Sequence, residues 1–341
     1  MIKTNKNINF NYAKPLLIAE ISGNHNGSKK RFLKLVESAC KNGADLVKIQ
    51  TYEPIDITLK SKHEKFRIKK GLWKNYYLWD LYRKAHTPFS WHKSAFEIAK
   101  KYKKHIFSSP FSNRGVDLLE RLNVEIYKIA SFEITDMKLI NYIASKKKPI
   151  IISTGMATIK EIKNAIKEIN KFHKKIVILH CVSEYPTKLE DTNLKRIQYL
   201  KKIFKNYKIG LSDHTNNIHS SVASHSYGVV VLEKHFNLDK KKTPDSDFSI
   251  LPSQLYELSQ VIKGLSKSIK DKKSKNGNLL ELRRSIFSSE NIKKNQTINN
   301  NNISTLRPKI GICASKYFEI IGRKAKKDIK KNSPIFFKNL I

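Results

Sequence analysis

Eight short apolar runs rich in β-branched residues recur along the chain, with helix-like stretches between them. They are "LLIAEI" (16–21), "DLVKIQ" (45–50), "HIFSS" (105–109), "IYKIA" (126–130), "PIIIST" (149–154), "IVILHCV" (176–182), "KIGLS" (208–212) and "VVVLEK" (229–234). Continuous runs of this length suit strands buried on both faces of a parallel sheet. Eight strand–helix alternations over about 250 residues predict an α/β fold, the (β/α)8 barrel. The alternative, an open doubly wound sheet, lacks support because no glycine-rich dinucleotide fingerprint follows the first run.

The intervening segments carry helix punctuation. "SKKRFLKLVESACKNG" opens on the capping residue Ser28 and closes on Gly43. In 158–170, Thr158 is a cap and Ile159, Ile162, Ala165, Ile166 and Ile169 form one apolar stripe. Segments 136–146, 193–205 and 253–270 read the same way. The connection 52–104 is long and aromatic, with "GLWKNYYLWDLYRKAHTPFSWH" inside it, and loops of that length often help form a site. A barrel domain is therefore expected over 1–270. A polar linker follows over 271–283 ("DKKSKNGN"), then a small, mostly-β domain over 284–341.

The net charge of +38 raises the question of nucleic acid. Lysine is spread over almost every predicted helix instead of gathering in one arm, and Asn and Ile are abundant with it. A compositional bias explains the charge better, so no nucleic-acid partner is expected. A positive field still concentrates anionic substrates. No run approaches the ~18 apolar residues of a membrane helix. "PLLIAEI" is too short for a signal peptide's apolar region and follows a polar leader. Cys40, Cys181 and Cys313 are widely spaced and odd in number, which suggests neither a disulfide framework nor a zinc site. The expected setting is cytoplasmic, with no membrane contact.

In such a barrel the catalytic groups come from the C-terminal ends of strands. Those ends carry Glu20, Gln50, Ser108, Ser109, Lys128, Ser131, Ser153, Thr154, His180, Ser212 to His214 and Glu233 to His235. His214 and His235 end neighbouring strands, so they can converge as ligands for a divalent metal. Two imidazoles leave coordination positions open for substrate. Other histidines, His25, His63, His86, His92 and His105 among them, read in several cases as solvated loop residues. Lys128 inside an apolar strand must be paired or used. An ion pair with Glu20, Glu133 or Glu233, a Schiff-base lysine and a cation for phosphate all remain open. The ring of serines around it favours phosphate.

"IAEISGNHNGS", "VKIQTY", "SSPFS", "YKIASFEITD", "PIIISTGMAT", "GLSDHT" and "EKHF" resemble, in order and spacing, the sialic acid synthase superfamily. "STLRP" and "IIGRKAKKDIKKNSPI" resemble its C-terminal antifreeze-like (SAF) domain. "SGNHN", "KIASFEI", "DSDFSI" and "RRSIF" are closer to the pseudaminate-forming branch than to the N-acetylneuraminate branch. The resemblance implies condensation of phosphoenolpyruvate with an amino-sugar aldehyde. It implies metal ligands at His214 and His235 for Mn2+, with Mg2+ and Co2+ as alternatives. It implies a phosphoenolpyruvate cradle at Lys128, Ser109, Ser131, Ser153, Ser183 and Ser212, with Ser183 standing where sialic synthases carry Asn. Glu20, Gln50, Tyr185 and Asp245 are implied as sugar contacts or acid–base groups. Arg307 is implied to reach across a domain-swapped homodimer to the sugar. N-acetylneuraminate or legionaminate synthesis is the nearest alternative. A Schiff-base aldolase using Lys128 and a basic nucleic-acid-binding protein stand further off.

Overall fold

The computed structural model describes residues 8, 10, 14–268 and 277–341. By contact density the chain divides into two units, 1–270 and 271–341. Positions 271–276 of the expected linker and the last two residues of the expected helix 253–270 lie outside the described residues.

The first unit is a closed barrel of eight parallel strands. They are β1 (Leu16–Glu20), β2 (Leu46–Thr51), β3 (His105–Pro110), β4 (Tyr127–Ile129), β5 (Ile150–Ser153), β6 (Ile176–Cys181), β7 (Lys208–Asp213) and β8 (Val231–His235). Each apolar run became a strand because both of its faces are covered: one by the barrel interior, the other by the helices. Leu17, Ile18, Ile49, Ile151, Ile178 and Val231 are accordingly buried.

Local chemistry sets the helix ends. The Ser28 side chain accepts from the Arg31 N–H at 3.2 Å to open Lys29–Lys41. Asp136 caps Met137–Ser145 in the same way. Thr158 and Glu161 form a reciprocal capping box at the start of Ile159–Asn170, and a cap of this kind is worth about 1 kcal/mol. The connection 52–104 is more ordered than its loop-like composition suggests. It holds helices Leu78–Ala85 and Phe89–Lys101. Aromatic residues there obscured the helical period because they point both to the core and to the barrel mouth.

The second unit has its own core, built largely of isoleucine, including Ile286, Ile298, Ile303, Ile312 and Ile335. Its regular sheet is one antiparallel pair, β9 (Ser285–Ser288) with β10 (Ile303–Leu306). Isolated bridges such as Ile292 to Ile329 extend it. Among the described residues no helix is long and apolar enough to cross a membrane.

Candidate active site

Strand register decides which rim side chains meet. Glu20 lies opposite Lys48, Ser212 opposite Glu233, and Asp213 opposite Lys234. Successive side chains on a strand face opposite ways. Ser212 and Glu233 therefore share one face, and Asp213 and Lys234 the other. Lys234 pairs with Asp213 at 3.1 Å, and Asp213 also accepts from Ser220 and Ser221 at 2.6 Å each. Asp213 and Lys234 thus anchor the barrel to the segment behind it. Ser108 faces away from the site as well: its hydroxyl donates to Ile49 O and contacts Thr51.

Four buried charges cross the barrel interior. Lys48 Nζ is 2.5 Å from Glu20 and 3.8 Å from Glu233. Lys128 Nζ is 3.9 Å from the same Glu233 oxygen. Serines join them: Ser153 accepts from Lys128 at 2.6 Å, Ser212 donates to Glu233 at 3.0 Å, and Ser109 lies 3.5 Å from Lys48. Burial pushes the Glu20 carboxyl up to about 7, against the pull of the Lys48 ammonium. Burial acts on Glu233 in the same sense, yet Lys128, Lys48 and the Ser212 hydroxyl hold it below its ordinary range. Lys128 is lowered by burial despite Glu233. Of its three possible acidic partners, Glu233 is the one within ion-pair distance.

Beside Lys128 the chain makes a tight concavity. A Cβ on Gly155 would stand 2.0 Å from Ser183 Oγ, 3.0 Å from Ser131 Oγ and 3.2 Å from Cys181 Sγ. A side chain there would displace the Ser183 hydroxyl. The Gly155 N–H donates to Ser131 at 3.1 Å. Ser131, Ser183 and Cys181 therefore crowd around Gly155, and two residues earlier Ser153 accepts from the Lys128 ammonium.

His214 and His235 come together as the spacing predicts, with ring centroids 5.4 Å apart and both side chains buried. His214 Nδ1 is 2.8 Å from Val182 O, which leaves Nε2 as its free donor atom. His235 Nδ1 is buried with no hydrogen-bond partner, and Asp245 approaches it only to 4.0 Å. Burial, with His214 second, holds His235 well below its ordinary pKa, so it is neutral. Burial works the same way on His214, but the neighbouring Cys181 and Val182 O outweigh it. Among the described residues no cluster of three or more His, Cys, Asp or Glu converges as a metal site. What the structure offers a divalent ion is the buried, unpartnered Nδ1 of neutral His235 beside the His214 imidazole, a pair that would leave other positions to water and substrate.

A cavity of 390 Å³ opens against the second histidine. It is lined by Gln50, Tyr185, Asp245, His235 and Glu133, among others. Gln50 donates to Ser22 at 3.0 Å, and Asp245 accepts from the Gly23 N–H at 3.0 Å. The Tyr185 ring packs on His214 at 4.4 Å. Glu133 is raised by burial to about 7. Of the predicted site residues, Gln50, Ser131, Tyr185, His235 and Asp245 line this cavity. Arg307 belongs to the second unit, where it is exposed and makes no ion pair among the described residues.

Sequence reasoning passed over Lys48, Glu133, Cys181 and Gly155 as site residues. Lys48 carried the signal used for Lys128, a lysine inside an apolar strand ("LVKIQ"). Two histidines grouped with the solvated loop residues are instead buried. His25 meets Thr87 at 3.2 Å, His92 meets Thr51 at 2.8 Å, and burial lowers both to about 4.

Residues 35–274 match the NeuB family, and residues 283–341 match the SAF domain. Over 330 residues the chain is 42% identical to the pseudaminic acid synthase of Helicobacter pylori, covering 94% of this chain and 96% of that one. It is 37% identical over 332 residues to the N,N'-diacetyllegionaminic acid synthase of Campylobacter jejuni, covering 94% and 99%. The solved N-acetylneuraminic acid synthetase of Leptospira borgpetersenii, in complex with citrate, matches with a TM-score of 0.70 at 26% identity, over 79% of this chain and 91% of that one.

Proposed function

The chain belongs to the NeuB family, and we propose that it joins phosphoenolpyruvate and 2,4-diacetamido-2,4,6-trideoxy-L-altrose, with water, to give pseudaminate and phosphate. The observation that carries this reading is the buried line Glu20–Lys48–Glu233–Lys128, fringed by serines and set beside two imidazoles. The relatives named for pseudaminate favour that sugar over the legionaminate precursor.

In the reaction the methylene carbon of phosphoenolpyruvate attacks the sugar aldehyde. Water then adds to the former enol carbon, and phosphate leaves with C–O cleavage. The aldehyde oxygen gains a proton and the attacking water loses one. Lys128 and Lys48 set ammonium charge against the phosphate and carboxylate of phosphoenolpyruvate, where burial makes such pairing strong. Ser109, Ser131, Ser153 and Ser183 donate hydrogen bonds to those oxygens, and Ser212 joins them when its hydroxyl turns from Glu233. Glu20, held near neutrality, takes or gives a proton at the sugar end. Gln50, Tyr185 and Asp245 contact sugar polar groups. His214 and His235 would hold a divalent metal, Mn2+ in this reading, which when bound polarises the aldehyde carbonyl.

We further infer a domain-swapped homodimer in which Arg307 serves the partner's sugar pocket. An exposed arginine without an ion pair, beside a proline in "LRP", supports that role. The unpaired cysteines suit a reducing, cytoplasmic setting.

The test is phosphate release from phosphoenolpyruvate with Mn2+ and each of three sugars: the trideoxy-L-altrose, the legionaminate precursor and N-acetylmannosamine. Release with the altrose sugar alone is expected. Preference for either other sugar overturns the substrate, and no release with any of them overturns the reaction. The swapped arrangement has its own test, since mixing inactive Arg307→Ala and His235→Ala chains rebuilds one intact site per hybrid dimer. Recovery of about a quarter of wild-type activity is expected from random pairing. No recovery after subunit exchange counts against the swap.

A further inference from the structure

The sugar cavity has linings of two origins. Gln50, Ser131, Glu133 and His235, at or just after strand ends, contribute polar groups, as do Ser22, Tyr185 and Asp245. The 52–85 connection contributes the phenols of Tyr52 and Tyr82 and, besides Ala85, five larger side chains that carry no oxygen: Ile57, Ile68, Trp73, Leu78 and Leu81. These five side chains offer the cavity no charge and no hydrogen-bond acceptor. The sole donor among them, Trp73 Nε1–H, is already given to Pro244 O at 2.9 Å.

Trp73 is held there by construction. It sits in a short hairpin closed by the bridge between Arg67 and Tyr77 and by two bonds, Ile68 N–H to Tyr76 O and Asn75 N–H to Ile68 O. Gly71 takes the φ of +81° that the turn needs. The indole packs on Tyr185 at 5.3 Å and Phe248 at 6.1 Å. Those two rings in turn lie against His214 at 4.4 Å and His235 at 4.6 Å. The bond to Pro244 also ties the hairpin to the residue before Asp245. Trp73 therefore touches both the apolar lining and the groups that hold the reacting end.

We propose that Trp73, with the apolar side chains of the 52–85 connection, makes the enzyme select a sugar whose far end is a methyl group instead of a hydroxymethyl. The inference rests on the reading of function above and adds a residue and a chemical feature to it. A hydroxyl brought against Ile68, Leu78 and Trp73 loses its water and finds no free partner on those three side chains. The selection is for deoxygenation. It does not distinguish stereoisomers, because the wall recognises no hydroxyl direction.

The test uses a matched pair of sugars, 2,4-diacetamido-2,4,6-trideoxy-L-altrose and its 6-hydroxy counterpart, which differ by one oxygen. Wild-type kcat/KM is expected to favour the methyl sugar by about 10²-fold, the scale on which an apolar pocket rejects an added hydroxyl. In Trp73→Asn the preference is expected to fall below about tenfold, mainly through KM for the methyl sugar, with KM for phosphoenolpyruvate unchanged. Trp73→Phe keeps an apolar ring without the bond to Pro244 and is expected to retain most of the preference. Equal losses for both sugars in Trp73→Asn would make the indole a loop anchor only and overturn the inference. A wild-type enzyme that fails to turn over the trideoxy sugar overturns the reading of function, and is recognised before any variant is made.

Discussion

Replacing His235 by alanine is expected to abolish detectable phosphate release and to weaken Mn2+ binding in calorimetric titration. The loss in affinity should exceed the 10–100-fold that removal of an outer-sphere partner costs. The fold should survive. His235 Nδ1 makes no hydrogen bond within the described residues, so its removal leaves no protein donor or acceptor unpaired. The remaining cost is the packing against Phe248 at the barrel mouth. A melting temperature near that of the wild type, together with lost metal binding, is therefore the expected pair of results. Full activity in the variant, or unchanged Mn2+ affinity, would remove the metal from the two histidines.

Replacing Lys48 by methionine should be as damaging by a different route. Lys48 lies between Glu20 and Glu233 with almost no exposure. Burial alone would lower its pKa, but the two carboxylates outweigh burial and raise it. Among the described residues methionine leaves buried Glu20 with no cation in ion-pair range and Glu233 with Lys128 alone, and breaking a buried pair this way costs roughly 3–5 kcal/mol. It also removes positive charge where the anionic substrate is proposed to bind, so kcat/KM should fall by about 10³-fold, the upper range for losing one preorganised electrostatic group. Glu20→Gln added to Lys48→Met separates the two effects. Urea unfolding of the double variant should recover much of the lost stability, because one stranded carboxylate has gone. Phosphate release should not recover. Restored activity in the double variant would reduce Lys48 to a structural counter-ion of Glu20.

The barrel was legible because the physics that makes it is local and repetitive. A strand covered on both faces must be apolar at every position, and a helix that covers it must carry a cap and a stripe. Ser28, Thr158 and the eight runs state this in plain residue order. The aromatic connection was harder to read. Trp73, Leu78 and Tyr82 serve a cavity, and a cavity wall has no period along the chain. The helix Leu78–Ala85 was hidden by that demand.

The candidate site divides the same way. Strand ends can be found by reading, so His214, His235, Lys128 and the rim serines could be placed there. Pairing cannot be read in that way, because it depends on register between strands far apart in sequence. Lys48 and Glu20 are neighbours because β1 and β2 align them, and Ser212 meets Glu233 because β7 and β8 do. A one-residue slip would have exchanged the inward and outward sets, putting Lys234 and Asp213 in the barrel interior in place of Glu233 and Ser212. The sequence by itself determined the strands, their order and the polar residues at their ends, since burial and capping act residue by residue. The tertiary structure alone decided which of those residues face each other, which carboxylates share a lysine and which glycine could take a methyl group only by displacing a serine hydroxyl, because those outcomes follow from strand register and barrel closure.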